Sequence, residues 1–329
     1  MLQCANHPMK QFLSYIFYLV LKFHFLPSIL NRKVIFGSGG GHMAEVIKLG
    51  LLGNGIGRSR AKNLHEMLGE LYGLPVHYQP MDLASQANVS IAAELQRCRA
   101  EGFRGVNVTH PYKRDAFREV QTVAGFPEGL TAVNTVLFEP ERLLAANTDY
   151  SGLCRAFAAQ FGAGFKPGRV LMLGAGGVGL AIAFALLKYG AESLVLYDKN
   201  PETAQTLLAQ LNGVHLPVRL AGDDLVAEMQ QADGLINATP VGMFQYPGNP
   251  FPLDGFSQQR WAFDAVYTPE NTEFLQRCRQ RGIETVSGFK LFLYQGLDAF
   301  EHFTHIAVDE ASVEQAFLQR YPLETMPPI

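Results

Sequence analysis

Six consecutive residues, Gly174-Ala175-Gly176-Gly177-Val178-Gly179, constrain this chain more than any others. They form a G-x-G-x-x-G run. It follows a short apolar strand predicted at Val170–Leu173 and opens a helix, rich in alanine, predicted over Leu180–Tyr189. In that setting each glycine has a physical task. The first permits a tight turn, the second lets backbone approach a pyrophosphate, and the third lets the helix pack close to the strand. The unpaired N–H groups at the helix start then face the phosphates. Asp198, at the end of the next predicted strand (Ser193–Tyr197), is placed to accept from ribose hydroxyls and to repel a 2′-phosphate, which favours NAD over NADP. Lys199 beside it would attract that phosphate, so NADP stays possible. Asp198 has a second reading, as the N-cap of a helix beginning at Pro201.

The rest of the pattern supplies the sheets. Lys48–Leu52, Val76–Met81 and Gly105–Val108 read as strands. Helical spacing marks Ala61–Tyr72 and Ile91–Ala100, and Pro111 reads as the first residue of another helix. Ala132–Asn147 reads as a hairpin and Tyr150–Phe161 as a helix at a domain junction. Further strands are expected at Leu235–Asn237 and Ala262–Val266. Beyond Gly288 the chain reads as helical, with apolar spacing from Leu291 to Phe303 and again over Ala311–Arg320. The fold class is α/β: an N-terminal α/β domain over residues 44–149, a Rossmann domain over 150–287, and helices over 288–329 able to return to the first domain.

Composition bounds the rest. A chain of 329 residues suits two domains at roughly 100–200 residues each. Hydrophobic residues at 48% and charged residues at 17% describe an ordinary globular core. A net charge of −3 without a long Lys/Arg run gives no footprint for nucleic acid. Cys4, Cys98, Cys154 and Cys278 are dispersed and form no C-x-x-C pair, which argues against zinc and disulfides and suits a reducing cytoplasm. Phe12–Leu30 is strongly apolar, but Lys22, His24 and Pro27 interrupt it before the roughly 20 residues of a spanning helix. No small-residue cleavage site follows; a glycine-rich stretch, Gly37–Gly41, leads to Met43 instead. The expectation is a natural start at Met43, with residues 1–43 a non-native or disordered extension. A membrane-associating segment is the competing reading.

A dinucleotide loop does not name a reaction. Outside it, polar residues gather at predicted strand and helix ends: Asn107-Val108-Thr109-His110-Pro111-Tyr112-Lys113, Asn134 in Ala132–Thr135, and Asn147-Thr148-Asp149. Singly, each suits a cap, a turn or a solvated surface.

Together they resemble the shikimate/quinate dehydrogenase family. The likeness rests on G-V-N-V-T-H-P-Y-K at Gly105–Lys113, A-V-N-T at Ala132–Thr135, N-T-D at Asn147–Asp149 and G-A-G-G at Gly174–Gly177. It continues with N-A-T-P-V-G-M at Asn237–Met243, V-Y-T-P at Val266–Pro269 and the Gly288…Gln295 segment. The Asp198 region and N-V-T-H-P-Y-K look most like its NAD-using quinate/shikimate branch. The resemblance implies reversible oxidation of a ring secondary alcohol, shikimate to 3-dehydroshikimate or quinate to 3-dehydroquinate, as in the shikimate pathway of aromatic amino acid biosynthesis. It assigns proton transfer to Lys113 and Asp149, and contacts to a small ring acid to Ser59, Asn107, Thr109, Asn134, Thr148, Tyr267 and Gln295. To the cofactor it assigns Gly174–Gly179, Asp198, Asn237, Thr239, Val266 and Gly288. A lysine acts as a base only when neutral, a form that burial favours, while a carboxylate beside it orients it. The resemblance also returns the late helices to the substrate domain.

One departure leaves the substrate open. The family usually carries two hydroxyls, S-x-S or S-x-T, before a proline to hold the substrate carboxylate. Here Ser59-Arg60-Ala61-Lys62 keeps the first and lacks the second and the proline. A hydrogen bond to a charged group contributes about 1.5–3 kcal/mol. Arg58, Arg60 or Lys62 could compensate, or the substrate could differ. Two further readings stay open: an aminoshikimate-like or methylene-folate-type dehydrogenase, and a silent dinucleotide-binding regulator. Neither oligomeric state nor direction of flux is written in these residues.

Overall fold

The computed structural model describes residues 45–324; the extension expected over residues 1–43 lies outside them. The first sheet is built from β1 (Ile47–Gly53), β2 (Val76–Asp82), β3 (Gly105–Val108), β4 (Gln121–Thr122), β5 (Thr135–Phe138) and β6 (Leu143–Ala146), in the order β2-β1-β3-β5-β6-β4. The strands β1, β2 and β3 run parallel, and β5 runs antiparallel to both β3 and β6. Helices α1 (Ala61–Leu71), α2 (Ile91–Ala100) and the short α3 (Lys113–Phe117) connect them. Helix α4 (Thr148–Phe161) carries the chain out, its start fixed by Asn147, whose side chain accepts the Tyr150 N–H at 2.9 Å.

The second sheet contains β7 (Arg169–Leu173), β8 (Ser193–Tyr197), β9 (Val218–Leu220), β10 (Gly234–Asn237), β11 (Trp261–Asp264) and β12 (Glu284–Val286). Its order, β12-β11-β10-β7-β8-β9, is fully parallel. This is the doubly wound Rossmann arrangement, in which ligands sit beyond the carboxyl ends of the strands. The strands β10 and β11 are buried at every residue, as a sheet covered on both faces requires. Helices α5 (Gly179–Lys188), α6 (Pro201–Gln210), α7 (Leu225–Gln231) and α8 (Glu273–Gln280) supply the cover.

The last helices, α9 (Gly288–Thr304) and α10 (Glu310–Arg320), return to the first sheet as expected. The ring of Phe303 lies over Gly105 of β3, so close that a Cβ there would sit 2.4 Å from it. Helix α9 also packs tightly on α4: a Cβ on Gly152 would be 2.6 Å from the Gln295 backbone nitrogen. Glycine at 152 therefore sets the helix spacing that brings Gln295 beside the start of α4. Lower on α4, Phe157 packs edge-on against Trp261 and Phe263 of β11, at 5.6 and 6.1 Å between ring centres. Burying each such ring contributes about 1.5–3 kcal/mol.

Two expectations change. Pro111 does not open a helix: the His110–Pro111 peptide is cis, the Tyr112 N–H bonds the Thr109 carbonyl at 2.9 Å, and α3 begins at Lys113. The strand expected to reach Val266 ends at Asp264, whose carboxylate accepts the Val266 N–H at 2.9 Å and turns the chain. The elements β4, β9, β12, α7 and α8 carry too short or too polar a pattern to stand out in sequence. No helix of the described residues is long and apolar enough to cross a membrane.

Candidate active site

Lys113 and Asp149 are far apart in sequence and meet in space. Lys113 is held at the first turn of α3, just after the cis turn, and Asp149 in the first turn of α4. The Lys113 ammonium donates to Asp149 Oδ2 at 2.6 Å, and both side chains are largely shielded from solvent. They face a cavity of about 400 Å³. Ser59, Asn107, Thr109, Asn134, Tyr267, Gly288 and Gln295 line the same cavity. Sequence reading also missed wall residues, among them Asn54 and Met243.

Behind the cavity the amide side chains are fixed by one another. Tyr78 donates its hydroxyl to Asn107 Oδ1 at 2.9 Å, and Asn107 Nδ2 donates to the Thr135 hydroxyl at 3.1 Å and the Asn134 carbonyl at 3.3 Å. Asn134 Oδ1 accepts the Thr148 N–H at 2.6 Å and the Thr148 hydroxyl at 3.1 Å. Thr148, expected at the substrate, is fully buried and absent from the cavity wall. Its polar groups are spent on holding Asn134. Tyr78 gave no sequence signal beyond its place in a strand. Its phenol is pushed well above the ordinary tyrosine range by burial, so it stays a donor. Across the cavity, Tyr267 stacks on Phe292 with ring centres 5.2 Å apart.

The glycine loop lies on the other side of Lys113. That lysine also lines a hollow of about 170 Å³ whose far wall is Ala175, Gly176 and Gly177. Gly174 has φ +93°, and a Cβ on it would meet the Ala238 carbonyl at 2.6 Å, so only glycine suits this turn. A Cβ on Gly176 would meet nothing within 4 Å, which leaves the backbone open to an approaching phosphate. On Gly179 it would press on Leu207 at 3.0 Å, where α5 closes on its neighbour. The loop therefore has the surface a dinucleotide pyrophosphate needs. Val178 is the residue from which α5 starts. Asp198 accepts the Ala175 N–H and the Asn200 N–H, each at 2.9 Å, and so braces the loop from the β8 end. It does not cap α6; Asn200 does, accepting the Glu202 N–H at 3.1 Å.

A third hollow, of about 870 Å³, is lined by Thr239 and Val266 and shares Arg58, Met243, Ala265 and Tyr267 with the central cavity. Asn237, expected at the cofactor, is fully buried and lines none of these hollows. Its amide donates to the Val241 carbonyl at 2.8 Å and to Asp264 Oδ1 at 2.9 Å, while its oxygen accepts from the Thr239 N–H and hydroxyl. It shapes the Thr239–Val241 loop from behind. Asp264 is also fully buried, and burial raises its carboxyl to about 7 despite the hydrogen bonds from Thr272, Val266 and Asn237. Gly288 faces the central cavity beside Tyr267.

Comparison with known proteins gives the same assignment. Residues 51–136 match the family model described as the shikimate dehydrogenase substrate binding domain. The chain is 36% identical to the shikimate dehydrogenase (NADP(+)) of Pseudarthrobacter chlorophenolicus, covering 84% of this chain and 95% of that protein. It is 34% identical to a quinate/shikimate dehydrogenase (NAD(+)) of Corynebacterium glutamicum, covering 84% and 99%. The solved quinate dehydrogenase from Corynebacterium glutamicum in complex with NAD superposes with a TM-score of 0.76 at 33% identity, over 84% of this chain and all of that one. With the two sheets, the returning helices and these relatives together, the chain belongs to the shikimate/quinate dehydrogenase family.

Proposed function

We propose that this protein is a dehydrogenase with a preference for NAD, which reversibly oxidises a ring hydroxyl of shikimate or quinate. The observation that carries the reading is the Lys113–Asp149 pair, 2.6 Å apart, in a cavity of ring-acid size that adjoins the glycine loop. Bound nicotinamide would supply the two-electron acceptor. The chain's own residues then have three tasks. Asn107 and Asn134, locked by Tyr78, Thr135 and Thr148, present fixed polar groups to ring hydroxyls. Gln295 spends one amide proton on the Phe292 carbonyl at 3.0 Å and keeps its oxygen as an acceptor for the ring. The Lys113–Asp149 pair accepts the hydroxyl proton during oxidation, and in reduction the Lys113 ammonium returns a proton to the forming alkoxide.

Asp198 supports the NAD preference. Its carboxylate stands at the end of β8, where it would oppose a 2′-phosphate. Steady-state kinetics with both acids and both dinucleotides test the reading, together with Lys113→Ala. The expected result is NADH formation by the wild type and a loss of about 10²–10⁴-fold in kcat for the variant, with dinucleotide affinity unchanged. Near-normal turnover by Lys113→Ala would remove this mechanism.

A further inference from the structure

One cation on the wall of the central cavity makes no ion pair or hydrogen bond among the described residues. Lys113 is neutralised by Asp149 within 2.6 Å. Of the other nearby cations, Arg60 points away: its guanidinium donates to the Tyr321 carbonyl at 2.7 Å and stacks on Phe317, 5.1 Å from the ring centre. Lys62 sits 3.9 Å from the Glu66 carboxylate, one turn along α1. Arg58 remains. It ends the short 3-10 turn Ile56–Arg58, is exposed, and lines the walls of both the central cavity and the adjoining hollow of about 870 Å³. Among the described residues no carboxylate or carbonyl accepts from it.

The turn that carries Arg58 is held firmly. The Asp82 carboxylate accepts the Gly55 and Ile56 N–H groups at 3.1 and 3.2 Å, and the Ser59 N–H bonds the Ile56 carbonyl at 2.9 Å. The Tyr112 hydroxyl donates to Asn54 at 2.9 Å just before it. Beside Arg58, Ser59 Oγ accepts the Ala61 N–H at 3.3 Å and keeps its own proton to donate. Ala61 adds only a methyl group to the same wall. This end of the cavity thus offers an anion one neutral hydroxyl and one full guanidinium.

We propose that Arg58 is the residue that captures the substrate carboxylate, so that this enzyme selects its ring acid by charge at the position where Ala61 offers no hydroxyl. The assignment rests on the function proposed above. A guanidinium can meet a carboxylate with two parallel hydrogen bonds, which an ammonium cannot do in the same geometry. Being exposed, the pair weakens as ionic strength rises.

The test uses the full chain and the variants Arg58→Leu and Arg58→Lys, with shikimate, quinate and their methyl esters. Arg58→Leu is expected to raise KM for the acids roughly ten- to a hundredfold, the range for a hydrogen bond to a charged group. Its KM for the esters should stay within about threefold of wild type, and Arg58→Lys should fall between. Dinucleotide Kd, measured by fluorescence titration, should not move. Unchanged acid KM in Arg58→Leu, equal changes for acid and ester, or a loss confined to dinucleotide affinity would each overturn the assignment while wild-type turnover upholds the function. A wild type that neither binds nor oxidises either acid overturns both.

Discussion

The first sheet meets the cleft with amide side chains, and the second meets it with its glycine loop and with mostly apolar residues after β10 and β11. At the ends of β3 and before β5, Asn107 and Asn134 reach the cavity wall, and their remaining polar groups are tied to Tyr78, Thr135 and Thr148 behind them. At the ends of β10 and β11 the corresponding polar residues, Asn237 and Asp264, are fully buried and spend their groups on each other and on the Thr239, Val241 and Val266 backbone. Between them the wall carries Ala238, Thr239, Ala265 and Val266, with Tyr267 just beyond. A small polyhydroxylated ring needs directed donors and acceptors. A long dinucleotide needs a smooth surface with exposed N–H groups and close backbone approach. The same device, a buried amide network, is turned outward in one half and inward in the other.

The largest expected effect breaks the second half alone. Gly174→Val places a Cβ 2.6 Å from the Ala238 carbonyl at φ +93°. Backbone strain and overpacking together cost about 2–6 kcal/mol. NADH affinity by fluorescence titration should fall by at least about a hundredfold, while ring-acid binding by calorimetry stays within about threefold. Retained NADH affinity would move the dinucleotide off this loop.

The two halves also hide titratable groups of opposite sign. In the first, His65 is buried against Tyr78, with ring centres 4.8 Å apart, and its Nδ1 has no partner. Burial pushes it from the ordinary 6.5 down to about 3. The unfolded chain therefore takes up a proton that the fold refuses. Stability is full above pH 6.5 and is lost as pH falls toward 3, at up to about 1.4 kcal/mol per pH unit. His65→Leu, of similar volume, should flatten that acid limb in urea midpoints measured from pH 7 to 4. Parallel curves for variant and wild type would mean that His65 is not held neutral.

Asp264 runs the other way over a slightly narrower window. Its carboxyl is raised from 3.8 to about 7, so the folded state keeps a proton that the unfolded state releases. Its stabilising contribution is full below pH 3.8 and declines as pH rises to about 7, again at up to about 1.4 kcal/mol per unit. Asparagine can still accept from Asn237 and Val266 through its oxygen and donate to Thr272. Asp264→Asn should therefore remove this decline and steepen the net acid sensitivity left by His65. Identical pH profiles for Asp264→Asn and wild type would count against a protonated Asp264 in the fold.

The contrast between the halves also explains what sequence could reveal. The glycine loop was legible because its demand is local: a turn with φ +93° and a helix start within six residues. The central parallel strands β7, β10 and β11 were legible because burial on both faces leaves an apolar run. Lys113 and Asp149 were not pairable from spacing, since they lie 36 residues apart at the starts of two different helices; resemblance alone joined them. Thr148 and Asn237 are buried behind the cavity walls, and residue type alone does not say whether polar groups face the cleft or are spent behind it. Tyr78, His65 and Asp264 stayed silent because their partners lie on other strands and helices. The anion-binding candidates were narrowed only by seeing that Arg60 and Lys62 have other partners.

The smallest effect concerns the residue on which the two functions of the second half converge. Asp198 braces the glycine loop through the Ala175 and Asn200 N–H groups, and on the function proposed above it would also oppose a 2′-phosphate of charge about −1.5 to −2. Asp198→Asn separates these roles, since an amide oxygen still accepts from the loop but carries no charge. Lys199, exposed beside it, remains to attract the phosphate. If repulsion sets the preference, the ratio of kcat/KM for NAD over NADP should fall by about tenfold, about 1.4 kcal/mol, chiefly through improved use of NADP. If Asp198 acts only as a brace, both dinucleotides should weaken together and the ratio should stay fixed. That outcome would assign cofactor choice to residues beyond β8.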